Sequence, residues 1–125
     1  MDREIFTYTG YGLPKAWQRA GRCKTHYYDR QAQDKKNLRT IFLASHPDFT
    51  PLDIPLCVSF KFFFPRPKKT VAHHARRPDL SNLIKFYEDC FNNFLWSDDA
   101  LICEYVDTYK AFDDIPRVEI AIYEA

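Results

Sequence analysis

The chain predicts an α+β fold. It is expected to form a single domain over residues 1–125, in β-α-β-α-β-β order, as a mixed sheet with two helices packed on it. Three observations lead there. Residues 56–64 alternate, with Leu56, Val58, Phe60, Phe62 and Phe64 on one face and Ser59 and Lys61 on the other, which is the period of a half-covered strand. Residues 80–95 repeat apolar side chains at helical spacing. Two further apolar runs, 101–109 and 117–123, flank the turn Phe112-Asp113-Asp114-Ile115-Pro116. At 46% hydrophobic and 17% aromatic residues, one chain of this length has ample material for one core.

Each element has a local reason. Residues 3–9 read as a first strand closed by Gly10 and Gly12. Residues 13–28 read as irregular and basic, with Lys15, Arg19, Arg22 and Lys24 interleaved with Trp17, Tyr27 and Tyr28. A helix follows from about Asp29 to Ala44, with Asp29 as cap and Ala32, Leu38, Ile41 and Phe42 on its apolar face. Residues 45–55 are loop. Pro65 and Pro67 end the 56–64 strand, and residues 66–77, with five Lys/Arg, two His and no acid, are expected to be a solvated basic loop. In the second helix Leu80, Leu83, Ile84, Tyr87, Phe91, Phe94 and Leu95 form the buried stripe, opposite Ser81, Lys85, Glu88 and Asn92.

The net charge of +1 hides an asymmetry. Residues 1–78 carry 15 Lys/Arg against 6 Asp/Glu, whereas residues 79–125 carry 3 against 11. A basic half beside an acidic half suits a protein that grips phosphates with one surface and a cation with another. Two halves that pair with each other would give the same count. No apolar run approaches the roughly 20 residues of a membrane span, and the start is no signal peptide, so a soluble cytoplasmic protein is expected. Cys57, Cys90 and Cys103 lie in apolar stretches and are expected as buried, reduced thiols. Cys23-Lys24-Thr25-His26 and His73-His74 lack the second spaced pair that zinc requires.

The chemistry concentrates in Arg77-Pro78-Asp79-Leu80-Ser81-Asn82-Leu83-Ile84-Lys85 and in Trp96-Ser97-Asp98-Asp99. Asp79 opens a helix, where position alone favours a plain N-cap over a metal ligand. Asp98-Asp99 fits an ordinary turn, and Lys85 fits a solvated lysine. Taken together, a helix-start acid, a strand-start acidic pair and a basic loop make a Mg²⁺ and phosphate site. Mg²⁺ takes only one or two protein carboxylates and completes its shell with water and phosphate oxygens. Lys85 lies one turn beyond Ser81, about 6 Å along the axis, where its charge would offset charge building on a phosphate.

Pro78-Asp79-Leu80-Ser81-Asn82-Leu83-Ile84-Lys85, Glu88-Asp89 and Leu95-Trp96-Ser97-Asp98-Asp99-Ala100-Leu101-Ile102, in that order, resemble the signature of the RusA-type Holliday junction resolvases. The strand and loop from Phe60 to Lys68 and the closing Pro116-Arg117-Val118-Glu119-Ile120 resemble the same family, and residues 14–28 do so more loosely. The resemblance implies a homodimeric, Mg²⁺-dependent endonuclease, with Mn²⁺ as a substitute. It would nick four-way DNA junctions in pairs during recombination and repair. It also implies that Asp79 and Asp99 are metal ligands, with Asp98 adjacent, and that Lys85 is the catalytic lysine. The DNA backbone would meet Lys15, Arg19, Arg22, Lys24, Arg66, Lys68, Lys69, Arg76 and Arg77.

Ser81 stands where the family usually has aspartate. Glu88 lies seven residues on, roughly 10 Å along the helix, and cannot simply replace it; Glu88 and Asp89 are expected to be structural. A junction-binding protein of this fold that cleaves poorly or not at all is therefore the alternative. A protein-interaction domain with an incidental acidic cluster would bind no DNA.

Overall fold

The structure, a computed structural model, describes residues 4–125, so the expected strand start at Arg3 lies outside the described residues. The chain runs β1 (Glu4–Tyr11), β2 (Gly21–Cys23), β3 (His26–Tyr28), α1 (Ala32–Ser45), β4 (Leu56–Phe64) and α2 (Leu80–Phe91). A 3-10 turn (Asp99–Leu101), β5 (Ile102–Tyr105), β6 (Tyr109–Phe112) and β7 (Arg117–Glu124) complete it. The main sheet has the order β1-β7-β4-β5, with β6 also paired to β4. β7 is antiparallel to β1 and β4, whereas β5 and β6 run parallel to β4, so the sheet is mixed as expected. No helix among the described residues is long and apolar enough to cross a membrane.

β4 is the axis of the core because its sequence is nearly all apolar. Leu56, Val58, Phe60 and Phe62 are fully buried beneath the helices, with Leu83, Phe86, Phe91, Leu95 and Trp96 opposite. Burial of each such side chain contributes roughly 1.5–3 kcal/mol. Contrary to the simple alternation, Cys57 and Ser59 are buried too. The 106–108 link crosses that region, and Ser59 Oγ donates to the Asp107 carbonyl at 2.9 Å.

Several expectations about the elements need correction. The 101–109 strand is two strands, because Asp107 turns the chain at φ 45° and passes β4 from its first half to its second. The basic 13–28 segment contains a β2–β3 hairpin, turned at Lys24 with φ 54°. A Cβ at Gly21 would lie 2.3 Å from the tip of the Tyr28 ring, so any larger residue there would displace that exposed side chain. α2 stops at Phe91, because Asn92 is extended and Asn93 has φ 68°, which folds Trp96 back into the core. Cys103 is exposed, since its side chain points outward on the edge strand β5; Cys57 and Cys90 are buried as expected. Burial pushes the Cys90 thiol up to about 12.

The helices differ in how well their patterns mark their faces. On α1 only Phe42 is buried, while Ile41 is 60% exposed. Phe42 earns its position by aromatic packing: its ring meets Tyr8 at 5.2 Å, Phe49 at 5.4 Å and Phe91 at 5.9 Å, and stacks on His46 at 4.9 Å. On α2 the stripe shifts toward Phe86 and Cys90, leaving Leu80, Ile84 and Phe94 half-buried. Asp29 anchors the α1 entry without being its cap, accepting from the Gln31 amide at 2.8 Å and pairing with Lys35 at 2.8 Å.

Candidate active site

Asp79 sits at the N-cap of α2, where its carbonyl accepts the Asn82 and Leu83 amides, each at 3.1 Å. Its carboxylate is exposed and makes no capping hydrogen bond, so the plain N-cap account does not use the side chain. Ser81 and Lys85 are exposed on the same helix. The backbone entering this turn is held from β6: Lys110 Nζ donates to the Arg76 carbonyl at 2.6 Å and to the Pro78 carbonyl at 2.8 Å. Sequence reading missed Lys110, whose partners lie 32 and 34 residues away.

The second acidic element is at the other end of α2. The Asp99 amide donates to Asn92 Oδ1 at 2.9 Å, and Asp98 Oδ1 accepts from the Ala100 amide at 2.9 Å. Burial holds the Asp99 carboxyl above its ordinary range, and the adjoining Asp98, through a hydrogen bond and its charge, and the charge of Asp89 push the same way. Glu88 is raised as well, chiefly by burial, with Asp99 and Asp89 adding to it and the Tyr105 hydroxyl, which donates to Glu88, opposing. Glu88 and Asp89, expected to be structural, thus share the electrostatic environment of Asp99. No basic residue lies in the last turn of α2, where the helix dipole is already negative. Arg39 of α1 meets that end of the helix from outside, its Nε donating to the Cys90 carbonyl at 2.7 Å and a terminal guanidinium nitrogen to the Asp89 carbonyl at 3.5 Å, while the hard oxygen donors of Asp98 and Asp99 fit a divalent cation such as Mg²⁺.

One chain does not bring the whole predicted set together. Asp99 is tied to Asn92, thirteen positions beyond Asp79, so α2 separates them by roughly 20 Å. Among the described residues no three His, Cys, Asp or Glu side chains converge on a common metal position. Asp98 and Asp99 are together; Asp79 and Lys85 belong to the first turns of α2.

The predicted phosphate ligands Lys15, Arg19, Arg22, Lys24, Arg66, Lys68, Lys69, Arg76 and Arg77 are all exposed. The 66–77 loop is less solvated than expected: His74 is buried between Phe64, at 4.5 Å, and Phe112, at 5.0 Å, and anchors it. Burial and the nearby Lys110 and Arg76 charges lower the His74 pKa. Arg66 is engaged by Asp114 at 2.8 Å and Asp113 at 3.6 Å, and Lys15 by Asp34 at 3.8 Å. Arg76 lies over the Phe112 ring at 5.7 Å and Arg22 over Tyr27 at 5.8 Å.

A small α+β domain with an exposed acid at the start of a helix and a basic loop leading into it defines the class. Residues 12–123 match the family model of endodeoxyribonuclease RusA. The chain belongs to the RusA endodeoxyribonuclease family. It is 30% identical over 105 residues to the crossover junction endodeoxyribonuclease rusA of Lactococcus phage r1t, covering 81% of this chain and 79% of that protein. It is also 27% identical over 143 residues to the uncharacterized protein YqaN of Bacillus subtilis strain 168, covering 99% and 98%.

Proposed function

We propose that this protein is a Mg²⁺-dependent endonuclease that resolves four-way DNA junctions as a homodimer in the cytoplasm, with Mn²⁺ able to replace Mg²⁺. The observation that carries the reading is the exposed, uncapping carboxylate of Asp79, seated directly after the basic loop in a chain of the RusA family. Asp79, Asp98 and Asp99 would hold the metal, which when bound supplies a nucleophilic water and shields phosphate charge. Lys85 adds positive charge beside the phosphate. The basic loop and the β2–β3 hairpin bind backbone phosphates, which gives recognition by shape. Because α2 separates Asp79 from Asp99 within one chain, each site draws Asp79 from one copy and the 98–99 pair from the other. A twofold dimer then presents two equivalent sites to two equivalent strands. Incubation with a synthetic junction, with Mg²⁺, Mn²⁺ or chelator, tests the reading: paired nicks that require the metal support it, and binding without nicks under every condition leaves a binding protein only.

Two further results follow from the charges. Replacing Arg76 and Arg77 by alanine lowers the slope of log affinity against log salt by about one unit per lost phosphate contact. The fold stays intact, because Lys110 grips the loop through backbone carbonyls and His74 through its ring. Filter binding across a salt series reads the slope; no change would place the DNA elsewhere.

Ser81→Asp adds a carboxylate at the start of α2, where the helix dipole favours negative charge by a few tenths to about 1 kcal/mol. The expected outcome is cleavage at a lower Mg²⁺ concentration, or cleavage where the native chain shows none. If the Mg²⁺ titration is unmoved in a fully active protein, Ser81 does not face the metal.

A further inference from the structure

Lys85 is the single cation of α2, and its partner is an aromatic face. Its ammonium lies 3.8 Å from the centre of the Trp17 ring. That ring is not placed by chance packing. The Trp17 amide donates to the Asn82 carbonyl at 2.9 Å, three residues before Lys85 on the same helix face. Two residues earlier the Lys15 amide donates to the Tyr87 hydroxyl at 3.1 Å. From the other side, the buried Gln31 brackets the segment: its Nε2 donates to the Ala16 carbonyl at 2.8 Å, and its Oε1 accepts the Gln18 amide at 2.9 Å. Four hydrogen bonds thus strap residues 15–18 between α1 and α2, and the indole is delivered over one lysine.

We propose that Trp17 is a positioning residue for Lys85 in the reaction, an inference that rests on the nuclease reading above. The chemistry favours an aromatic partner over an acid. A carboxylate would hold the ammonium but cancel its charge. The indole face attracts it through the ring quadrupole and leaves the full positive charge, with N–H groups turned away from the ring free to donate to a phosphate oxygen. The ring also removes water from one side of the ammonium and restricts a side chain that would otherwise sample many rotamers. Binding to ground-state DNA is supplied mainly by the other basic residues, so the contribution of Trp17 appears in turnover.

A double-mutant cycle on a synthetic four-way junction with Mg²⁺ tests this. Trp17→Ala is expected to lower kcat about tenfold with KM within about twofold, and Trp17→Phe, which keeps a ring face, to recover to within about threefold of wild type. Lys85→Ala loses at least as much as Trp17→Ala, and the double variant loses no more than Lys85→Ala alone. Losses that multiply, a loss confined to KM, or a rise in kcat in Trp17→Ala would each overturn the proposal. A second measurement needs neither DNA nor metal: acetylation of Lys85 by a small reagent at fixed pH, read by mass spectrometry. It is expected to run about threefold or more faster in Trp17→Ala than in wild type, with Trp17→Phe between them. Equal rates would show that the indole does not hold the lysine. A native chain that never cleaves overturns the proposed reaction instead, and labelling still decides whether Trp17 holds Lys85.

Discussion

Mixing Asp79→Asn chains with Asp99→Asn chains is expected to restore nicking that neither variant shows alone. On the proposed reading each change removes a metal ligand and the basic surface carries junction binding, so each homodimer should lose cleavage by several orders of magnitude while binding stays largely intact. In a mixed dimer whose sites are built across the two copies, one site carries both mutations and the other carries neither. Random reassortment then returns about a quarter of the wild-type nicking rate, delivered as single nicks. Sites contained within one chain would give no recovery at any mixing ratio, because every site would still lack one carboxylate. The measurement is junction nicking after the two variants have been unfolded together and refolded. Its sharpness comes from the length of α2, which keeps Asp79 and Asp99 roughly 20 Å apart in a single chain.

Phe42→Ala should cost about 3–5 kcal/mol of folding stability, a large part of the roughly 5–15 kcal/mol expected for a domain of this size. The side chain is fully buried and meets rings from β1, α2 and the 46–49 turn, so no single neighbour can fill the space it leaves. Urea unfolding followed by circular dichroism reads the loss as a lower midpoint at unchanged slope. A cost under about 1 kcal/mol would mean that α1 does not depend on this contact.

The sequence was legible where local pattern and tertiary role coincide. β4 is a strand over the nine residues read as one, although both of its faces are covered over its first half, and it pairs with β5, β6 and β7; α2 begins at the expected proline and aspartate, and the mixed sheet with two helices follows. The α2 terminus is not legible in the pattern, because Phe94 and Leu95 continue a helical apolar period although the chain reverses at Asn93 before them. Periodicity reports burial and does not report the backbone path that achieves it. The split of 101–109 was hidden for a similar reason: both halves are strand, and only Asp107 in the left-handed region divides them. At the site, residue types were readable and their partners were not. The Lys85–Trp17 pair spans 68 positions, and the link from Lys110 to the Asp79 turn depends on β6 lying beside β4.

β7 lies between β1 and β4, so the first strand of the chain joins the sheet only through the last. Pairing Glu4 with Tyr123 closes a loop of more than a hundred residues, whereas β4, α2 and β5 are neighbours in sequence. The entropy of that closure is lost before any contact repays it, so the β1–β7 pairing is expected to slow folding relative to a domain held by local contacts. During synthesis the β4–α2–β5 unit leaves the ribosome with one sheet edge unpaired until residues 117–124 arrive. Until then the β4 edge that β7 will cover is open to wrong partners.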